Sequence, residues 1–337
     1  MTVYVTGDIH AGAEMARLSE WDATGVAERG DYLIVAGDFG YPWDFSMDEV
    51  HDINWLASRP YTVLFVDGNH ERYDHWEGRP RERWHGGLTQ RLAPGSPIRR
   101  LCRGEVFELD GARVFTFGGA TSVDKEWRIP GADWWPQELP SHAELGHAID
   151  TLDANNWQVD YVITHTCSTS MLPAALWPSD GWEDPDHDCL TDFLDELEQK
   201  LEYKRWYCGH FHCDKNMDEK HTVLFQEFVP LGGQATFTQR PACAVHLMRC
   251  FAGFGSKQLI APVSLTCEVV SEKNGGFNGI ARGNVVAIRR CHSVPSARRG
   301  CCPRAVFHGA RWIARQLLGC QGTLARMLRA KVRGGWG

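Results

Sequence analysis

The chain has 337 residues, enough for one large domain or two ordinary ones. Its hydrophobic content of 43%, with 14 Trp and 15 Phe, is typical of a packed globular protein and excludes a disordered one. The net charge of −8 combines an acidic part, residues 1–240 with 20 Lys+Arg and 41 Asp+Glu, and a basic part, residues 241–337 with 15 and 2. The acidic part does not attract nucleic acid through bulk charge, so we expect a polyanion to need metal ions or a local basic patch.

The first residues and the cysteines predict where the protein is found. The chain opens on the strand-like Val3–Thr6, and no apolar run reaches the ~18 residues that span a bilayer. Five cysteines are scattered through the acidic part without a CxxC pair. Scattered thiols are typical of a reducing compartment, so the sequence predicts a cytoplasmic protein with no membrane span.

Short apolar runs alternate with helical patterns over the first 210 residues. The predicted strands are Val3–Thr6, Tyr32–Ala36, Thr62–Val66, Val106–Leu109, Val114–Phe117, Tyr161–Thr164 and Arg205–Cys208. The predicted helices are Ala13–Glu28, Met47–Ser58, Ala143–Asn155 and Leu190–Leu201. Ser46 and Ser141 begin S-x-x-E capping boxes before two of them. This alternation predicts a layered α/β domain.

Polar residues stand just past the carboxyl end of most predicted strands. They are Asp8 and His10, Asp38, Asn69 and His70, His165, and His210 with His212. In open α/β sheets, ligands bind outside the carboxyl ends of the strands. We therefore expect five separate loops to converge on one site.

Apart from His70, these residues offer two carboxylates, one amide oxygen and four imidazoles. Such ligands suit Mn, Fe, Zn or Ni, whereas Mg and Ca prefer sites made of oxygen alone. Seven ligands are too many for one tetrahedral ion with an open position, but they suit two ions that share a carboxylate. Two ions so placed can clamp a phosphoryl group and turn a bridging water into a hydroxide nucleophile.

The motif order D-x-H, GD, GNHE, H and GH-x-H resembles the calcineurin-like metallophosphoesterase superfamily over roughly residues 1–230, especially its small bacterial and phage members. The resemblance implies a four-layer α/β/β/α sandwich with a dinuclear metal site, Mn first among the ions, at the carboxyl ends of the strands. It implies one ion on Asp8, His10, Asp38 and His212, and another on Asp38, Asn69, His165 and His210. It also implies that a metal-bridged hydroxide attacks a phosphate mono- or diester while His70 acts as general acid.

Several positions depart from the Ser/Thr protein phosphatase branch of that superfamily. Tyr41 occupies the slot of the aspartate that orients the catalytic histidine, and Asp67 stands where that branch has arginine before GNHE. We expect Glu71, or else Asp44, to take over the orienting role. A protein phosphatase or a nuclease on the same fold stays open as an alternative, and nucleic acid is not implied as a partner. A non-catalytic metal-binding scaffold is a further rival, and nothing indicates the oligomeric state.

Candidate substrate contacts lie after GNHE and in the stretch that leads to His165. Arg72, Lys125 and Arg128 are predicted to hold phosphate oxygens, with arginine able to bind two at once. Trp127, Trp134 and Trp135 either stack on an aromatic group of the substrate or pack an irregular loop against the sheet.

Composition divides the chain near residue 232. Residues 1–232 form the predicted metallophosphoesterase domain, and residues 233–337 a basic tail rich in Cys, Arg and Gly. Three interpretations of the tail stay open: an arm that binds nucleic acid or an acidic membrane, a partner-binding or disordered extension, or a sequence that selection for folding has not shaped.

Overall fold

The computed structural model describes residues 1–12, 14–176 and 187–236, together with the backbone of two strands further on. The chain forms two compact units, Met1–Pro241 and Ala242–Gly337. The metal-ligand candidates all lie in the first unit.

Two β-sheets make up the centre of the first unit. The first sheet comprises, in spatial order, β13 (Val229–Pro230), β1 (Val3–Thr6), β2 (Tyr32–Val35), β3 (Thr62–Phe65), β6 (Arg99–Leu101), β5 (Gly87–Arg91) and β4 (Arg81–Trp84). Strands β1, β2, β3 and β6 run parallel, while β13, β5 and β4 are antiparallel to their neighbours. The carboxyl ends of β1 to β3 therefore lie at one edge of this sheet.

The second sheet has six strands among the described residues. They are, in spatial order, β11 (Lys215–Asn216), β12 (His221–Val223), β10 (Arg205–Cys208), β9 (Tyr161–Thr164), β8 (Ala112–Phe117) and β7 (Glu105–Leu109). The four central strands are parallel, with Val162 of β9 facing Phe115 of β8 and Trp206 of β10. This arrangement brings the carboxyl ends of β9 and β10 to a common edge.

Alternating side chains pack the two sheets against each other. Along β2, Tyr32 and Ile34 belong to the core cluster that also contains Phe107 and Ile163 of the second sheet. Leu33, between them, points to the opposite face. This period of two is the geometry of a pleated strand that is buried on both faces.

Helices cover the outer face of each sheet. On the first sheet, Leu18 of α1 (Met15–Ala23) and Leu56 of α2 (Met47–Ala57) lie in one core cluster. On the second sheet, the cluster takes in α3 (His142–Ala154) and α5 (Cys189–Lys200). A four-residue helix, α4 (Leu172–Ala175), precedes α5. The four-layer α/β/β/α sandwich predicted from the sequence is confirmed.

Helix boundaries follow local capping chemistry. The Ser141 side chain accepts from the backbone N–H of Glu144, whose carboxylate accepts from Ser141 in return, so that capping box is complete. Ser46 caps α2, but the carboxylate of Glu49 accepts instead from the backbone N–H of Trp43 and Asp44. The first helix ends at Ala23, earlier than predicted.

A hairpin of polar strands was not predicted. Strands β4 and β5 pair antiparallel, with Arg81 opposite Gln90 and Arg83 opposite Leu88. Their sequences mix charged and apolar side chains, and exposed and half-buried residues alternate along β4. The sequence of this hairpin therefore lacks the clear apolar pattern from which the other strands were predicted.

The second unit is described at two strands. Strand β14 (Leu265–Val270) pairs antiparallel with β15 (Ile280–Val285), and Leu265 lies opposite Val285. The rest of the predicted tail after residue 236 lies outside the described residues. No described helix combines the length and the apolar character that crossing a membrane requires.

Candidate metal centre

Five loops bring the predicted ligands to one place. Asp8 and His10 follow β1, Asp38 follows β2 and Asn69 follows β3 in the first sheet. In the second sheet, His165 directly follows β9, while His210 and His212 follow β10. Contacts between these groups show that the carboxyl ends of the two sheets open on the same side.

Asp38 stands at the centre of the site, with its two carboxylate oxygens facing different histidines. Its Oδ2 lies 3.2 Å from His10 Nε2, and its Oδ1 lies 3.2 Å from His165 Nε2. The backbone N–H of His70 donates to Oδ1 at 2.7 Å, which holds the carboxylate in this orientation. A carboxylate so placed can be shared between two cations.

One group of four ligand atoms is compact enough to hold an ion. The atoms belong to Asp8, His10, Asp38 and His212 and all lie within 4.8 Å of one another. Asp8 Oδ2 is buried and lies 2.9 Å from His212 Nε2, and within residues 1–12, 14–176 and 187–236 no donor meets it in hydrogen-bond geometry. Buried carboxylate oxygens are rarely left without a partner, so this atom fits a cation.

The groups on the other side of Asp38 surround His165. Asn69 Oδ1 lies 3.2 Å from His165 Nε2, and the ring of His210 packs edge-on against that of His165 with centroids 5.0 Å apart. His165 Nδ1 lies 2.8 Å from the carbonyl oxygen of Ala36. That contact leaves Nε2 for a ligand, as is typical of histidines that bind metals.

The electrostatics of the buried cluster indicate a site made for positive charge. Burial opposes ionisation of Asp8 and Asp38, but the neighbouring histidines hold the pKa of each carboxyl below its usual value. Burial would also lower the pKa of His165, yet Asp38 and Asp8 outweigh it and raise that pKa to about 10. The carboxylates thus stabilise a positive charge at this position. A bound metal cation would supply that charge in place of the proton.

Backbone strain is concentrated in the same residues. His10, Asp38, His210 and His212 have φ values of 47°, 49°, 66° and 48°, in the left-handed region that non-glycine residues rarely adopt. Such strain persists where surrounding structure enforces it and is common at functional sites.

The glycine of each GD, GN and GH motif makes room for a ligand. A Cβ atom at Gly37 would overlap the ring of His165, one at Gly68 would overlap Asp38 Oδ1, and one at Gly209 would overlap Asp8 Oδ1. Close approach of backbone to the ligands explains the glycines within the motifs.

His70 lies beside this cluster and faces an arginine. Its ring is 5.3 Å from that of His10, centroid to centroid. Arg128 Nη1 and Nη2 lie 3.4 and 3.3 Å from His70 Nδ1 and Nε2. Burial, together with the charges of His10 and Arg128, holds the pKa of His70 well below its usual value although Asp38 opposes this.

Glu71 and Asp44 do not take over the orienting role that the sequence assigned to them. The carboxylate of Glu71 accepts from the backbone N–H of Phe39 at 2.8 Å and of Gly40 at 3.2 Å. Burial, with Asp38 nearby, raises the pKa of Glu71 well above its usual value. Asp44 accepts from the backbone N–H of Ser46 at 2.9 Å. Glu71 therefore fixes the loop that carries Asp38.

The three predicted phosphate-binding residues have different surroundings. Arg128 reaches His70 and also bonds to Asp124 at 2.7 Å. Lys125 is exposed on a 3-10 helix, Lys125–Trp127. Arg72 bonds to Asp74 at 3.2 Å and donates to the carbonyl oxygen of Trp43, so its guanidinium is committed to local structure.

A cleft of about 360 Å³ lies next to the cluster and has His10 and His70 in its wall. Its border carries Tyr41, Trp43, Asp44, Asp48, Glu49 and Asp52, and among the described residues no lysine or arginine lines it. Trp135 is buried against Trp43 with ring centroids 5.6 Å apart, which is a packing role, whereas Trp127 is 59% exposed.

Two residues behind Asn69, Ser122 and Glu138, were not predicted to belong to the site. Asn69 Nδ2 donates to Ser122 Oγ at 3.3 Å, and Ser122 Oγ donates to Glu138 Oε1 at 2.9 Å. This chain of hydrogen bonds fixes which end of the Asn69 amide faces His165. Ser122 lies 53 positions after Asn69, so no local pattern in the sequence predicts the contact.

The fold and this cluster are typical of a metal-dependent hydrolase, and comparison with known proteins narrows the class. Residues 1–214 match the calcineurin-like phosphoesterase family, and the chain belongs to that family. Members are generally phosphoester hydrolases that bind two divalent metal ions, which supports metal-dependent phosphoesterase activity in general.

Among solved structures, the chain is similar to the protein TT1561 of Thermus thermophilus. The identity is 11%, the TM-score is 0.37, and the similarity covers 70% of this chain and 100% of the other. No curated protein matches the chain.

Proposed function

We propose that the chain hydrolyses a small phosphate mono- or diester at this centre, with two divalent metal ions as cofactors. The observation that carries the proposal is the position of Asp38, whose two oxygens face His10 and His165 at 3.2 Å each. Within a family of metal-dependent phosphoesterases, this position supports a role for Asp38 as the ligand that two ions share.

The donor set supports two ligand groups. One ion would be held by Asp8, His10, Asp38 and His212, and the other by Asp38, Asn69, His165 and His210. Two ions bound there would polarise the phosphoryl oxygens and provide a nucleophile from water. Mixed imidazole and carboxylate ligands suit Mn, Fe, Zn or Ni, and we place Mn first because the family resemblance implies it.

His70 is the general acid in this proposal. The low pKa of His70 reflects burial and the charges of His10 and Arg128, and a bound phosphate would offset the charge of Arg128. Arg128 presents two N–H groups beside the His70 ring, a position from which a guanidinium can hold a phosphate oxygen. His70 then gives its proton to the leaving oxygen.

The cleft beside His10 and His70 favours a small ester. Its volume of about 360 Å³ suits a small organic group, and its acidic border disfavours a polynucleotide. We place the protein in the cytoplasm, a proposal supported by free thiols at Cys102, Cys167, Cys189 and Cys208.

The test combines metal analysis with a substrate panel. Full-length protein with Mn or Ni added is assayed on p-nitrophenyl phosphate, bis-p-nitrophenyl phosphate, a phosphopeptide, a cyclic nucleotide and single-stranded DNA. We expect hydrolysis of one of the small esters. Asp38→Asn should abolish it, whereas Asp48→Asn, at the border of the cleft, should retain it. Absence of hydrolysis together with less than one ion per chain would overturn the proposal.

A further inference from the structure

A second and larger cavity lies away from the metal centre. Its volume is about 690 Å³, and none of the predicted metal ligands or substrate contacts lines it. It is bordered by β4 and β6 on one side and by the segment that leads into α3 on the other. Cavities of this size accommodate small organic ligands.

The wall of this cavity carries four arginines: Arg79, Arg81, Arg100 and Arg103. Two of them share the buried carboxylate of Asp67, which lies 3.1 Å from Arg100 Nη2 and 2.5 Å from Arg103 Nη2, and Arg103 Nη1 also lies 3.6 Å from Glu144. Among the described residues, Arg79 and Arg81 pair with no carboxylate. Four guanidinium groups thus face three carboxylates, those of Asp67 and of the lining residues Glu77 and Glu144, within a unit that is otherwise strongly acidic.

Part of this wall is rigid before any ligand binds. Arg79 Nε donates to the carbonyl oxygen of His75 at 2.8 Å, and its Nη1 donates to that of Leu92 at 2.7 Å. Its Nη2 also contacts the ring of His75, so all three nitrogens are committed to local structure and Arg79 contributes a fixed positive charge to the wall.

Two buried donors in the same wall have no acceptor. Trp76 Nε1 and Arg103 Nε are both inaccessible, and no hydrogen-bond partner meets either atom among the described residues. Both residues line the cavity. Since both atoms are inaccessible, they do not reach into the cavity, and the contacts to a ligand fall to the arginines.

We propose that this arginine-lined cavity is a second, non-catalytic site that binds a phosphate group, either as inorganic phosphate or on a small organic ester. Arginine matches phosphate oxygens with paired N–H groups. Tyr73, Leu139 and Pro140 add apolar surface for the organic part of an ester. The proposal does not depend on whether the metal centre is active.

Isothermal titration calorimetry on the full-length Asp38→Asn variant tests the second site, because there the metal centre lacks its shared ligand and cannot turn over an ester. The probes are inorganic phosphate and phenyl phosphate, each titrated separately. We expect one equivalent to bind. Tighter binding of phenyl phosphate would assign an organic ester, and equal binding would assign free phosphate.

Arg81→Gln, added to that variant, should weaken binding at least tenfold. The matched control is Arg83→Gln on the same strand, since Arg83 is exposed, does not line the cavity and donates to the Gly86 carbonyl oxygen. Binding equal in the two variants, or no binding of either probe, would overturn the proposal. Because the titration measures no turnover, a failure of the phosphoesterase proposal would leave its result unchanged.

Discussion

Replacing Gly68 by alanine perturbs the metal centre without altering any ligand atom. A Cβ atom there would overlap Asp38 Oδ1 and would lie 2.8 Å from His165 Nε2. The backbone of Gly68 is not left-handed, so the cost is steric. Overpacking of this kind costs about 2 kcal/mol of unfolding free energy, which lowers Tm by roughly 4–8 °C.

The effect on catalysis should exceed the effect on stability. Relief of the overlap requires Asp38 or the Gly68 backbone to move by on the order of 1 Å, and a shift of that size costs about 100-fold in rate. We therefore expect kcat for Gly68→Ala to fall about 100-fold, with less metal bound. The assay measures p-nitrophenyl phosphate turnover, metal content by mass spectrometry and Tm by calorimetry.

Gly146→Ala is the matched control, because a Cβ atom at Gly146 in α3 meets nothing within 4 Å. The same chemical change in a helix should raise stability by about 1 kcal/mol and leave kcat unchanged. If folded Gly68→Ala protein bound two ions and turned over within about twofold of wild type, the packing of Gly68 against Asp38 would be refuted.

Four further changes probe the site and its support. His70→Asn should lower kcat by about 10²–10⁴-fold with metal content retained, as measured by steady-state kinetics and metal analysis. Ser122→Ala frees the Asn69 amide and should weaken metal binding by about 10–100-fold in a metal titration. Arg128→Ala should raise KM, because it removes the guanidinium beside His70. Burial raises the pKa of Glu138 to about 7 from a usual 4.5, so the folded protein keeps a proton that the unfolded chain releases. Stability should then fall by up to roughly 3 kcal/mol as pH rises from about 4.5 to about 7, and Glu138→Gln should remove that fall in urea unfolding of metal-free protein.

Each of these expectations has a contrary result. Equal loss of metal and turnover in His70→Asn would make His70 a ligand. Unchanged metal affinity in Ser122→Ala would show that the hydrogen bond to Asn69 does not orient the amide. For Arg128→Ala, the comparison is Arg72→Ala, whose guanidinium is held by Asp74 and Trp43; equal effects on KM would contradict the assignment. Parallel pH curves for Glu138→Gln and wild type would place the titrating group elsewhere.

Much of the fold was predictable because its signals are local. The alternation of Tyr32, Leu33, Ile34 and Val35 between two core clusters follows from the pleat of a strand. The seven predicted strands were placed to within two residues, whereas the short buried strands β6 and β12 were not predicted. Strand β4 escaped prediction because exposed and half-buried residues alternate along it, and β5 escaped because its buried positions include the polar Thr89 and Gln90. The extent of the first helix was overestimated, since Gly25 adopts a φ of 68° just after its end.

The sequence by itself determined the ligand types, their order and their place at the ends of strands. Each motif is a short run of residues that directly follows one strand, so its position is a local property of the sequence. Only the tertiary structure decided which oxygen of Asp38 faces which histidine. It also placed Arg128 against His70, 58 positions away, and brought two of the four arginines of the second cavity, Arg100 and Arg103, to Asp67. These contacts depend on pairing and packing between distant segments, and no local run of residues encodes them.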